Sequence, residues 1–103
     1  MKNILITWVL PTTRQQGGPL PITDIQDVKI ELSADGGANF SSVGTFTTDI
    51  LEAPVNDLPV SDQYVVRGWA TDTSGQDGDD VDVPFTVDDD SPPGDLEISI
   101  VFP

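Results

Sequence analysis

Apolar and polar residues alternate along most of this chain. Residues 3–10 read NILITWVL, and period-two spacing puts Ile4, Ile6 and Trp8 on one face and Leu5, Thr7 and Val9 on the other. Ile25–Ser33 repeats the pattern, with Val28, Ile30 and Leu32 inward against Lys29, Glu31 and Ser33 outward. Between these strands, residues 11–22 hold three prolines and two glycines and read as a loop. A turn at Ala34-Asp35-Gly36-Gly37, where glycine supplies positive φ, leads to a third strand over 38–43. Residues 45–57 are less regular. Ile50, Leu51 and Val55 suggest a short strand there, which Pro54 confines to a sheet edge. Residues 63–71 form the strongest central strand, with Tyr64, Val66, Gly68 and Ala70 on one face and Val65, Arg67 and Trp69 on the other. Val81–Val87 alternates again, and Pro84 makes it a second edge. The last strand, 96–102, sets Leu96, Ile98, Ile100 and Phe102 on one face. No segment carries a helical period. Short strands with Gly and Pro punctuation predict an all-β sandwich.

The length of 103 residues suits one domain. The pattern divides it into a sandwich over 1–88, an acidic Pro/Gly linker over 89–95 and a C-terminal strand over 96–103. Charge narrows the function. There are 18 Asp and Glu against 4 Lys and Arg, a net of −14. A nucleic-acid binder needs a basic face, and anionic lipid heads repel such a surface, so neither partner is expected. The chain has no His and no Cys, which removes disulfides, thiolate zinc sites and the Ser-His-Asp triad. The first ten residues faintly resemble a signal peptide. The apolar run is short, however, and Pro11 stands where a small-residue cleavage site would, so a first β-strand is expected without export.

The order of landmarks resembles the fibronectin type III module, an immunoglobulin-like sandwich. Ile4-x-Ile6-x-Trp8 followed by Pro11 matches that family's early Trp-bearing strand. Residues 19–32 match its Pro/Gly loop and next strand. Leu58, Tyr64, Val66, Ala70 and Asp72 match its Leu–Tyr corner and the strand that follows. The resemblance implies that the Tyr64 hydroxyl bonds backbone at the corner while its ring fills the core. It covers about residues 3–88. Gly68 stands where the family has a β-branched core residue, and Trp8 is expected to fill the space. The family's first strand, A, is missing at the N-terminus, whereas residues 91–98 look like a linker followed by such a strand.

Single modules of this kind with a Ser-Ala-Asp-Gly-Gly turn look most like virion proteins of tailed bacteriophages. That resemblance implies a non-catalytic structural protein that decorates or stabilises the capsid or attaches to the tail. It would be made in the host cytoplasm, and its partners would be other virion proteins. A detached adhesion module binding carbohydrate or a cell surface, with Ca²⁺ dependence, is the alternative, and a non-binding spacer is a third reading.

Several residues are candidates for chemistry. Ser33-x-Asp35-x-Gly37-x-x-Phe40 has the spacing of an Asp-box turn, in which Ser and Asp bond loop amides over an aromatic ring. From Asp72 to Glu97 there are ten acids and no Lys or Arg. Asp72, Asp77, Asp79 and Asp80 gather in one loop, and Asp88, Asp89, Asp90 and Asp95 in the linker. Such density suits Ca²⁺, although the spacing is not that of an EF-hand loop, and a solvated acidic surface is the plainer reading. No other cofactor is expected. Paired carboxylates also serve glycosidases, but a sandwich this small has little room for their cleft, so no enzyme is expected. Trp69 and Arg67 should share an outward face, either as an interface anchor or as a cation–π pair without a partner.

Leu96, Ile98, Ile100 and Phe102 are expected to supply the missing strand A. The preceding strand is expected to end at the pole opposite to where strand A begins. Closure within the chain would then require residues 88–95 to span about 26 Å, at ~3.3 Å per residue. The Pro92-Pro93 pair favours an extended path. Donation to a neighbouring copy, giving a homo-oligomer by strand exchange, is therefore expected ahead of closure in cis and of docking onto a different virion protein.

Overall fold

The computed structural model describes residues 2–88 and 96–102. Seven strands account for most of them: β1 (Lys2–Val9), β2 (Ile25–Ser33), β3 (Ser41–Phe46), β4 (Glu52–Leu58), β5 (Ser61–Asp72), β6 (Val81–Val87) and β7 (Leu96–Val101). A single 3₁₀ turn, Ile22–Asp24, precedes β2. The strands form two sheets, ordered β4-β1-β7 and β3-β2-β5-β6. The fold is an all-β, two-sheet sandwich. The linker 89–95, with Asp89, Asp90 and Asp95, and the terminal Pro103 lie outside the described residues.

The alternation sets the core. Ile4, Ile6 and Trp8 of β1 face Val28 and Ile30 of β2 and Tyr64 and Val66 of β5, all buried. Both proline-bearing strands are edges, β4 with Pro54 and β6 with Pro84, because neither proline has an amide hydrogen for a second neighbour. The third strand begins three residues later than its sequence pattern suggests, at Ser41. Ser33 departs from the alternation: it is buried although it follows an outward-facing pattern. Its hydroxyl accepts from the amides of Asp35 and Gly37 at 3.3 and 2.9 Å, so burial leaves it satisfied.

The course of β7 corrects one expectation, the direction of the added strand. It lies on β1 of its own chain, and it runs parallel to it, from Ile4 opposite Leu96 to Val9 opposite Val101. Lys2 of β1 pairs with Leu58, Ser61 follows by three residues, and Ser61 pairs with Val87 at the end of β6. β6 therefore ends at the pole where β1 begins, and β7 starts beside Ile4 at that same pole. No crossing of the module is needed, so the about 26 Å requirement disappears. The expectation failed because it assigned the added strand the direction of strand A. A strand entering from the near pole fills the same edge in the opposite direction.

Gly68 is the second correction. The residue that uses its missing side chain is Ile100, together with Ile30. A Cβ on Gly68 would stand 3.0 Å from Ile30 Cδ1 and 3.2 Å from Ile100 Cδ1. Trp8 instead packs on Phe46, with ring centroids 5.1 Å apart.

Candidate functional site

Four groups of residues are candidates for function. The first is the seat of β7. Ile98, Ile100 and Phe102 are buried, and all three join the core cluster that contains Ile4, Ile6 and Trp8. Burying side chains of this size contributes about 1.5–3 kcal/mol each as an upper estimate. Midway along the outward side of the pairing, Thr7 Oγ1 lies 3.1 Å from Ser99 Oγ. Leu96 opens the strand opposite Ile4. The predicted partner-binding residues Ile98, Ile100 and Phe102 thus serve the chain's own core.

The second is the acidic loop between β5 and β6. Its four aspartates do not converge. Asp72 caps the turn, accepting from the amides of Ser74 and Gln76 at 3.0 and 2.9 Å and from Arg14 at 3.2 Å. The Gln76 amide, with Arg14 adding to it, holds its carboxyl below the usual range. Asp77 accepts from the Thr71 hydroxyl at 2.7 Å. Asp80 lies 3.5 Å from Arg67 on the neighbouring face. Asp79 lines a cavity of about 340 Å³ together with Arg14 and Phe102. Among the described residues, no three acidic side chains are placed to hold a metal ion. Asp72, Asp77 and Asp80 spend their carboxylates on amides, a hydroxyl and guanidinium groups.

The third is the outward face of β2 and β5. Arg67 forms a two-pronged pair with Asp82, at 2.8 and 3.0 Å. This pair raises the Arg67 pKa and lowers that of Asp82. The guanidinium carbon sits 4.0 Å over the centre of the Phe40 ring. The expected Arg67–Trp69 stack is corrected on this point: β5 carries the two side chains in register with different neighbours. Arg67 stands between Glu31 and Asp82, while Trp69 is half-buried opposite Lys29. Lys29 in turn holds Asp27 and the Thr71 hydroxyl, each at 2.9 Å.

The fourth is the turn after β2. The Ser33 hydroxyl donates to Asp35 Oδ1 at 2.7 Å, and Asp35 accepts from the Asn39 amide and side chain at 2.9 and 2.8 Å. Asn39 and Ser33 together bring the Asp35 pKa down to about 2. Gly36 and Gly37 take φ of 76° and 95°, which a side chain would oppose. Gly37 lies over the Phe40 ring that also carries Arg67. The Asp-box spacing corresponds here to a self-bonded hairpin turn.

Two features depend on tertiary pairing. Arg14 bridges the loop after β1 to the rest of the pole, reaching Asp24 at 3.4 Å and Asp72 at 3.2 Å. Val9, Ile50 and Val101 are exposed at that same pole. The signal for the valines is present, because each is an apolar residue in the outward phase of its strand. What they face is set by the pairing of β1 with β7. Among the described residues, no helix is long and apolar enough to cross a membrane. No family model, curated protein or solved structure matches this chain.

Proposed function

We propose that this chain is a non-catalytic structural protein of a tailed-phage virion, a fibronectin type III-like module that decorates the capsid or attaches to the tail. The observation that carries this reading is the use of the candidate chemical residues in holding the fold. Asp35 ties a hairpin turn, Asp72 caps a loop, and Arg67 is divided between Asp82 and Phe40. Ile98, Ile100 and Phe102 fill the core. Polar side chains committed in this way support a rigid block that acts through its surface. The family landmarks add support: the Tyr64 hydroxyl donates to the Pro59 carbonyl at 2.7 Å beside buried Leu58. Its partners would be other virion proteins presented in a repeated lattice, where many weak contacts sum. Exchange of β7 between copies would keep every contact of that strand while linking chains, and is the homo-oligomeric form that goes with this reading.

Mass spectrometry of purified virions tests it. The protein should appear at a fixed copy number relative to the capsid or tail subunits. Its absence from intact particles, with free protein in the infected-cell lysate, would overturn the reading. Native mass of the isolated protein tests the exchange: dimers or larger species lost on deletion of 96–103 support it, and a monomer at every concentration rejects it.

A further inference from the structure

The exposed apolar side chains are distributed unevenly. Of the six large ones exposed among the described residues, Val9, Ile22, Ile50, Leu51 and Val101 lie at the pole where β1 ends, and Val60 lies at the other. Scattered exposed apolar residues are ordinary, but contiguous ones mark contact surfaces. Three of the five are contiguous. Val9 stands opposite Val101 in the parallel pair. The Trp8 amide donates to the Leu51 carbonyl at 3.1 Å, so Ile50, in the turn closed by its amide on the Thr47 carbonyl, adjoins the residue bonded next to Val9. The result is a row across the outer face of the three-stranded sheet, with Ile50, Val9 and Val101 exposed by 41, 58 and 64%.

Acids flank the β4 end of the row, and the chain as a whole carries −14. Asp49 adjoins Ile50, and Glu52 stands opposite Thr7 one step along the same face. Arg14, the cation of this pole, is held between Asp24 and Asp72 and does not offset them. The geometry points to a docking surface for a protein partner whose apolar side chains are ringed by Lys or Arg. The charge selects that occupant. A second copy docked face to face on this row would set acid against acid on chains of net −14, and anionic lipid and nucleic acid meet the same repulsion. The row is aliphatic and offers no ring on which a sugar would stack. The apolar centre supplies affinity as it loses water, and the acidic rim supplies orientation and on-rate. This inference goes beyond the virion reading and does not depend on it.

Methyl and amide NMR on the full chain tests it with three synthetic peptides: alternating Leu–Lys, Leu–Glu and Ser–Lys. The Leu–Lys peptide should move the resonances of Val9, Ile50 and Val101 saturably, and the other two should not. The double variant V9S/V101S should weaken that binding about tenfold, while Val60→Ser at the far pole leaves it unchanged. If V9S/V101S does not fold, Ile50→Ser, in the loop ahead of β4, takes its place. Three outcomes overturn the proposal: no saturable shifts with Leu–Lys at millimolar concentration, equal shifts with Ser–Lys, or equal losses in Val60→Ser. Concentration-dependent mass abolished by V9S/V101S would also overturn it, by making a second copy the occupant.

Discussion

Gly68 on β5 faces Ile100 on β7 across the two sheets, and a Cβ on Gly68 would come within 3.2 Å of the Ile100 Cδ1 and 3.0 Å of the Ile30 Cδ1. The gap in one sheet is therefore filled by the last strand of the other. Gly68→Ala should destabilise the protein by about 1–3 kcal/mol, because both isoleucines must shift in a packed interior. Ile100→Val shortens the offending arm. In an Ile100→Val background, the cost of Gly68→Ala should fall, as read by urea unfolding of the four members of the cycle. An unchanged cost would place the strain at Ile30 alone.

Ile100 itself is fully buried and Val101 beside it is exposed. Ile100→Ala should cost about 2–5 kcal/mol, and Val101→Ser should stay within about 0.5 kcal/mol. Equal midpoints in a denaturant series would mean that β7 does not occupy its seat on β1 in solution.

Tyr64 donates to the Pro59 carbonyl at 2.7 Å, and burial raises its pKa. Tyr64→Phe keeps the ring stacked on Phe85, with centroids 5.1 Å apart, and removes the hydrogen bond alone. The expected loss is about 0.5–1.5 kcal/mol, with the added cost of an unpaired carbonyl if water does not reach Pro59. Chemical denaturation measures it directly.

The Asp35 carboxyl has a pKa of about 2 in the folded chain, against an ordinary 3.8. The sign follows from linkage: a depressed carboxylate contributes stability that is full above 3.8 and is lost as the pH falls through 2. The ¹³C resonance of this carboxyl should titrate near 2. Amide exchange at Gly37 and Asn39 should accelerate across the same window. A midpoint near the ordinary value would show that the Ser33 and Asn39 bonds do not form in solution.

A net charge of −14 on one domain repels itself, and salt shortens the range of that repulsion from about 30 Å at 0.01 M to about 10 Å at 0.1 M. The melting temperature should therefore rise with NaCl and level off. Replacing part of the NaCl with millimolar Ca²⁺ at equal ionic strength should add nothing, because Asp72, Asp77 and Asp80 are turned to different partners. A Ca²⁺-specific rise reversed by chelator would reveal a site made on binding.

Period-two alternation determined most of the strands and their inward faces, Ser33 and the bounds of β3 and β4 apart, and two prolines determined the edges, because a strand's two faces and a proline's missing donor are local properties of the chain. The turn at Ser33–Phe40 was legible for the same reason: its hydrogen bonds join residues within four positions of one another. Direction and neighbourhood were not. The alternation of Ile98 and Ile100 is the same whichever way β7 runs, and only the shared pole of β1 and β6 decided that it runs parallel to β1 within the chain. The acids that crowd together in sequence separate in space because each backbone turn offers them different amides and guanidinium groups. Val9 and Val101, ninety-two positions apart, become neighbours through pairing alone. Local stereochemistry writes itself into the order of residues, whereas the pairing of β1 with β7 depends on how two sheets close over one core, which no local segment encodes.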